Sequence, residues 1–466
     1  MATTLMSALD WANVEFGGAE LGDRRRCPRL VQLAAKCAQN PHGTLPGSFK
    51  RWSEAKAAYR LLEQADVTYE GVIAPHFDRV RTDCCQNGEY LMVEDTTSLD
   101  FTSHLAAQDM GRIGDDGGRG LFVHSTLALR IERWTGSHEP EVTVEGLFDQ
   151  RWWARTTPTI GRGREKKRKR LTRPRESERW AAVVEQIGPP ADSARWTFVA
   201  DRESDIYETF ARCQKNRWHF IIRANQPRAL ADEGGSVFTA VTESPELGRF
   251  FVDLRARPGQ AARRAQVAVR TCRVQLRGPW RPGGSLEPLT VNVVEAREID
   301  APQGVEPIHW VLLTDWPVQT FEQAMRVIKA YTRRWLIEEY HKALKTGTSI
   351  EDSQLTTAQR ITALLGILAV VAVRLLNMKL LATTCPDEPV PADAIGQEAL
   401  AILEAEYGKP PGGWTNATVL VSIARFGGFL ARKSDGNPGW LTIWRGLRQL
   451  MLMAQGYDLA REEKCG

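Results

Sequence analysis

The chain has 466 residues, and its 61 Lys and Arg against 57 Asp and Glu give a net charge of +4. This length exceeds the roughly 50 to 250 residues of a typical domain, so two or three folded units are predicted. Hydrophobic residues make up 42% and charged residues 25%, which argues against a disordered or a membrane protein. The eight cysteines lack zinc-finger spacing, and the N-terminus lacks the pattern of a secretory signal, so a cytoplasmic location is expected.

The positive charge is concentrated in one run, RGREKKRKRLTRPR at residues 162–175, which holds nine Lys and Arg against one Glu. Clustered cations favour a polyanion partner, because phosphates are contacted by local groups of Lys and Arg rather than by net charge. A solvated basic loop is the alternative interpretation.

The first 70 residues or so read as helices with apolar residues spaced by three and four. Arg24, Arg25, Arg26 and Arg29 lie at the start of the first long helix, where they could face phosphates or simply solvent. From residue 89 the pattern changes to three strands in succession, and then strands and helices alternate. This order predicts a mixed α/β fold with an RNase H-like sheet.

Residues 233–318 are again rich in strands, which indicates a β insertion. A long helix follows: TFEQ from Thr320 fits a capping box, and the helix is expected to run for about 26 residues, to just before Gly347. The rest of the chain reads as mainly helical. Its apolar run from Ile361 to Val373 is too short to span a bilayer and is predicted to be a buried helix.

Two aspartates follow apolar strand sequences: Asp95 comes after LMV and Asp201 after TFVA. Ligands collect at the carboxyl ends of strands in α/β sheets, so these two carboxylates could share a metal ion if their strands are neighbours. Taken singly, each is more typical of a turn or a helix cap.

The long helix carries a third acidic candidate. Tyr331, Arg334, Glu338 and Lys345 are separated by 3, 4 and 7 residues, which places them within a sector of roughly 60° on a regular helix. A solvated stripe of salt bridges would give the same pattern. Glu339 lies about 100° away from Glu338 on such a helix, and is therefore expected to be dispensable for chemistry.

The segments EDTTSL (94–99), ADRESDI (200–206) and YTRRWLIEEYHKALKTG (331–347) resemble the bacterial DDE transposases of the insertion-sequence-four family, in particular those of the composite-transposon-five type. The resemblance extends over most of the chain. It implies a helical domain that binds transposon ends (1–70), a catalytic core (71–232 and 319–365) interrupted by the β insertion (233–318), and a helical dimerisation domain (366–466).

The resemblance also implies a set of site residues. Asp95, Asp201 and Glu338 would hold two Mg²⁺ ions, for which Mn²⁺ would substitute, with Asp95 bridging the pair. Phosphates would be held by a larger set: Tyr331, Arg334, Lys342, Lys345, Arg223, Arg24, Arg25 and Arg29. Trp310 matches an aromatic position that stacks on a flipped base, although a tryptophan within a strand is otherwise typical of a core.

These features predict a cut-and-paste transposase that cleaves double-stranded transposon ends through a DNA hairpin and inserts them into target DNA as a homodimer. It would act in the bacterial cytoplasm, at the nucleoid when bound to DNA. Two alternatives stay open. A structure-selective nuclease would use the same carboxylates without joining strands, and an inhibitor derived from a transposase would bind DNA without turnover.

Overall fold

A computed structural model describes residues 6–49, 51–114, 116–155, 178–231, 234–254, 261–281, 283–432 and 435–464. The basic run at 162–175 lies outside these residues.

Four helices form the N-terminal part, as predicted: α1 Ala8–Phe16, α2 Arg26–Gln39, α3 Trp52–Leu62 and α4 Tyr69–Cys84. Two of them begin at residues that cap them. The Ser7 side chain accepts a hydrogen bond from the Asp10 amide, and Thr68 accepts one from the Gly71 amide. Such caps satisfy amide groups that have no partner within the helix.

One large sheet forms the centre of the molecule, and its strands are β1 Gly88–Asp100, β2 Gly111–Ile113, β3 Gly118–Trp134, β4 Pro140–Trp153, β5 Ala194–Ala200, β6 His219–Arg223, β7 Glu246–Leu254, β8 Arg263–Leu276, β11 Leu289–Ile299 and β12 His309–Thr314. Strands β9 Trp280–Arg281 and β10 Gly284–Ser285 pair separately. In the described parts of the chain, the large sheet has the order β2-β3-β1-β5-β6-β12-β11-β8-β7, with β4 paired to β3.

The first half of this sheet has the predicted RNase H-like arrangement. Strands β1, β3 and β4 are antiparallel neighbours, and β5 and β6 continue the sheet parallel to β1. The strands of the predicted insertion are part of the same sheet, because β12 pairs with β6. The β-rich segment therefore extends the core sheet directly.

The remaining helices are α5 Arg179–Ile187, α6 Tyr207–Lys215, α7 Val237–Glu243, α8 Phe321–Thr332, α9 Trp335–Lys342, α10 Ala358–Thr384, α11 Ala392–Ile395, α12 Gln397–Tyr407, α13 Asn416–Phe426 and α14 Trp440–Lys464. They cover both faces of the sheet, and each face has its own apolar core.

Helix α10 is the central helix of the larger core. By length and composition it could cross a membrane, but nearly all of its apolar stretch is buried inside the protein. It packs against α4, β4, α2 and α13. The prediction of a buried helix is confirmed, although the helix is 27 residues long and runs across residues 365–366, where the sequence suggests a domain boundary.

Candidate active site

The pairing of β1 with β5 sets the positions of Asp95 and Asp201. The two strands are parallel, and Val93 lies opposite Val199 as their last pair. Each aspartate comes two residues later, so both lie at the same edge of this strand pair. Asp201 directly follows β5 and also caps a short turn, because its carboxylate accepts a hydrogen bond from the Glu203 amide at 2.8 Å.

The expectation that Asp95 ends its strand is wrong. Strand β1 continues to Asp100, because the longer strand β3 stays paired with it beyond Asp95, from Thr96 opposite His124 to Asp100 opposite Gly120. Only the pairing with β5 stops before Asp95. The Asp95 side chain therefore leaves a rigid, paired strand rather than a loop.

The predicted 26-residue helix is interrupted. It begins as expected, with the capping box of Thr320 and Gln323, but α8 ends at Thr332. Hydrogen bonds to the third rather than the fourth preceding residue follow, from the Arg334 amide to the Tyr331 carbonyl and from the Ile337 amide to the Arg334 carbonyl. After α9, residues Ala343–Gly347 form a π-helical turn, a distortion that often occurs at functional sites.

Helix α9 brings Glu338 close to Asp95, and Arg334 bridges the two carboxylates. The Arg334 guanidinium donates to the Glu338 carboxylate at 2.6 Å and lies 3.8 Å from the Asp95 carboxylate. Burial raises the pKa of Asp95 to about 6; the Thr96 amide and Arg334 oppose this shift, while the charges of Asp201 and Glu338 add to it. The three carboxylates predicted from the sequence therefore act on one another in the folded protein.

Among the described residues, no three Asp, Glu, His or Cys side chains are arranged as a ready-made metal site. The positively charged guanidinium of Arg334 contacts both Asp95 and Glu338, in the position where a metal ion would be expected. Carboxylate oxygens are the donors that hard divalent cations prefer. The donor set and its excess of negative charge thus fit a divalent metal ion.

An open groove of about 430 Å³ runs along this cluster. Its lining includes Asp95, Glu338, Lys342, Lys345 and the buried His341. The Lys345 ammonium lies 3.2 Å from Glu351, which also lines the groove. The groove therefore combines an acidic end with cations one and two helical turns further along, an arrangement suited to a phosphate chain.

The sequence analysis did not predict a buried hydrogen-bond network next to Asp95. The neighbouring Glu94 is fully buried, where it accepts hydrogen bonds from Thr126 at 2.7 Å and faces His124 at 3.2 Å. The other ring nitrogen of His124 bonds with Thr96 at 2.9 Å. A charged residue on the inner face of a strand is the signal that could have identified this network, since buried carboxylates require partners.

A second cluster surrounds Tyr331. Trp310 on β12 contacts its ring edge-on, with the ring centres 5.3 Å apart. Burial raises the pKa of Tyr331, and the positive charges of Arg334 and Arg223 oppose this shift. Arg223 also donates to the His309 carbonyl at 2.8 Å. Burial lowers the pKa of Arg223, and the charges of Arg202 and Arg334 lower it further.

The structure thus brings Trp310, Arg223, Tyr331 and Arg334 together beside the acidic residues. Arg202, which directly follows Asp201, was missed by the sequence analysis. The basic residue in ADRESDI is the signal that could have indicated it.

The N-terminal arginines differ in their surroundings. Arg24, Arg25 and Arg29 are exposed, and Arg25 pairs with Asp23 at 2.8 Å. Arg26 instead bonds with Asp66, Gln64 and the Leu21 carbonyl. Arg26 therefore links parts of the helical domain, whereas the other three lie at its surface, Arg25 in an ion pair with Asp23.

Glu339 has structural partners that the sequence analysis did not predict. Its carboxylate accepts hydrogen bonds from Lys379 on α10 and from the Trp440 indole on α14. It also lies 3.3 Å from the Lys342 ammonium. The helical spacing correctly separates the two side chains, but elements far along the chain pack against the side that carries Glu339.

Three family models match this chain. Residues 8–67 match the family described as transposase DNA-binding, residues 173–374 match the transposase DDE domain, and residues 402–465 match the transposase Tn5 dimerisation domain. Together these matches cover more than two thirds of the chain. Asp201 and Glu338 lie inside the second match, and Asp95 precedes it.

Proposed function

Since this chain belongs to the Tn5-like DDE transposases, we propose that Asp95, Asp201 and Glu338 are its catalytic carboxylates. The register of β1 against β5 is the observation that supports this proposal best. It puts two aspartates at one edge of the strand pair, and Arg334 links one of them, Asp95, to Glu338 on α9. Structural carboxylates seldom converge in this way, because like charges repel unless a cation or a proton relieves them.

The DDE domain implies dependence on a divalent metal ion. The proposed metal is Mg²⁺, with Mn²⁺ as a substitute and two ions in each site, held by the three carboxylates. When bound, such ions supply a deprotonated nucleophile and neutralise charge on the phosphate and the leaving oxygen. Burial is the main cause of the raised pKa of Asp95, and the charges of Asp201 and Glu338 add to it; a bound cation would favour the ionised carboxylate and so oppose both effects.

The cations of the groove hold the DNA backbone in this proposal. Arg334 presents a planar fork suited to two phosphate oxygens, whereas Lys342 and Lys345 act as point charges. Arg223, with Arg202 beside it, binds phosphates on the other side of Tyr331. Tyr331 lies close enough to Arg223 and Arg334 for both positive charges to act on its hydroxyl, so it can contact the same stretch of backbone.

Cleavage is proposed to pass through a DNA hairpin. A hairpin requires sharp bending at the cleaved end, and an extruded base needs a surface on which to stack. Trp310 is only partly buried and contacts Tyr331 edge-on. Its indole can therefore receive a base while the Tyr331 ring supports it from the side.

DNA binding and dimer formation follow from the matched domains. In the proposed synaptic complex, the N-terminal domain binds transposon ends through Arg24, Arg25 and Arg29. Helix α14 pairs two subunits through apolar side chains that are exposed in this chain, among them Leu441, Leu452 and Met453. The paired ends are then inserted into target DNA, in the bacterial cytoplasm and at the nucleoid.

One experiment separates this function from its alternatives. The purified protein is incubated with Mg²⁺ and labelled duplexes that carry the ends of its own DNA element, together with a target plasmid. A transposase gives hairpinned ends followed by joined products. A structure-selective nuclease would cut without joining, and an inhibitor would bind without cutting; either outcome would overturn the proposal.

A further inference from the structure

Glu339 connects the signature helix to the C-terminal helix. Its carboxylate accepts hydrogen bonds from the Lys379 ammonium and the Trp440 indole, and Lys342 lies at 3.3 Å. Three elements, α9, α10 and α14, therefore meet at one carboxylate.

Aromatic side chains on α14 extend the contact between this helix and the signature helix. The rings of Trp440 and Trp444 are stacked, with centres 4.5 Å apart and planes 12° from parallel, and the Lys379 ammonium lies 4.2 Å from the centre of the Trp440 ring. The Trp444 ring lies against Gly347, where a Cβ atom would come within 2.7 Å of it. Helix α14 thus supports α9 at Glu339 and the π-helical turn at Gly347.

The supported segment is the one that carries the groove residues. Glu338 and Glu339 are consecutive, so their side chains point about 100° apart on α9. One faces the groove with Asp95, and the other is fixed by α10 and α14. A rotation or shift of α9 that released Glu339 would also move Glu338 relative to Arg334 and Asp95.

We propose that Glu339 is a positioning residue, through which Trp440 of the dimerisation helix fixes the placement of Glu338. This inference rests on the proposed catalytic role of Glu338. Helix α14 would then have two functions on two faces: exposed apolar residues for a second subunit, and Trp440 with Trp444 for the active site of its own subunit. Groups that orient catalytic ligands without touching substrate often change activity or metal affinity by about 10- to 100-fold.

The test uses Trp440→Phe, which removes the indole N–H and keeps a ring beside Trp444 and Lys379. Trp414→Phe is the matched control, because the Trp414 indole also donates to a carboxylate, Glu404, at 3.2 Å. Trp414 is buried in the same C-terminal region, but its indole donates there to α12 rather than to the signature helix.

Two measurements are made on the full-length protein. Hydrogen exchange of the amides in 335–347 should become at least about 10-fold faster in Trp440→Phe and stay at the parental rate in Trp414→Phe. The Mg²⁺ concentration for half-maximal end cleavage should rise by about 10-fold in Trp440→Phe alone, while end binding and dimerisation are unchanged.

The inference would be overturned if Trp440→Phe had the same amide exchange rates and the same Mg²⁺ dependence as the parental protein. An equal effect of Trp414→Phe would also overturn it. If Trp440→Phe does not fold, Lys379→Met takes its place, because it removes the other donor and keeps the apolar stem over the ring; the same shifts are expected. Failure of the parental protein to cleave would overturn the proposed function instead, and the exchange rates would still decide whether Glu339 couples the two helices.

Discussion

Replacing Glu338 with glutamine is the most direct perturbation of the proposed site, because it removes one charge and keeps the size of the side chain. The cost to stability should be small. The Glu338 carboxylate is partly exposed and pairs with Arg334 one helical turn away, an arrangement worth about 0.5 kcal/mol. Loss of its charge also removes a repulsion that adds to the effect of burial on the pKa of Asp95. We therefore expect the free energy of unfolding to change by less than about 1 kcal/mol.

The cost to cleavage should be far larger. A neutral amide is a poor ligand for Mg²⁺, which depends on anionic oxygen donors. Metal ions contribute several kcal/mol of charge stabilisation in such reactions, and a loss of about 4 kcal/mol corresponds to about 1000-fold in rate. Nicking, hairpin formation and strand transfer should fall together, because all three would use one site.

The assay is single-turnover cleavage of an end-labelled transposon-end duplex, with end binding measured in parallel. Glu339→Gln is not a neutral control, because Glu339 bonds with Lys379 and Trp440. Asp83→Asn serves better: it breaks a comparable bridge, 2.9 Å from Arg79 one turn away, on a helix that does not line the groove. If folded Glu338→Gln cleaves within about 10-fold of the parental rate, Glu338 is not a metal ligand.

Three further results are expected. Trp310→Ala should leave first-strand nicking nearly intact but slow hairpin formation by about 5- to 150-fold, since stacking is worth about 1 to 3 kcal/mol per base; equal loss of both steps in a gel assay would refute this role. Neutralising the basic run at 162–175 should flatten the salt dependence of DNA binding, measured by titration, because fewer counterions are released; an unchanged slope would exclude it as a DNA contact. Burial lowers the pKa of His341 to about 3, and the charges of His124, Lys345 and Arg334 lower it further. As the pH decreases below about 6.5, only the unfolded chain binds a proton at this residue, so the free energy of unfolding decreases. His341→Gln should therefore remove about 2 kcal/mol of the loss in unfolding free energy between about pH 6.5 and 5, and identical urea-unfolding results for both proteins would contradict this.

Local patterns predicted much of the fold. The strand-forming sequences of β1, β3 and β4 and the capping box at Thr320 depend on residues close together in sequence. The interruption of the long helix could not be predicted in this way. It coincides with contacts from Lys329 and Arg333 to Glu139, at 3.4 and 2.9 Å, and Glu139 is almost 200 residues away in the chain.

The two adjacent glutamates show where sequence reasoning about the site stops. Helical periodicity correctly predicts that Glu338 and Glu339 point in different directions, and the resemblance selects Glu338 for chemistry. Helical periodicity does not reveal which other elements pack against the face of α9 that carries Glu339. That depends on Lys379 and Trp440, which lie 40 and 101 residues further along the chain and reach the helix only through tertiary packing. A residue can therefore look dispensable on a helical wheel because its partners are distant in sequence. A partly buried acidic residue next to a proposed catalytic one is better interpreted as evidence for such a partner.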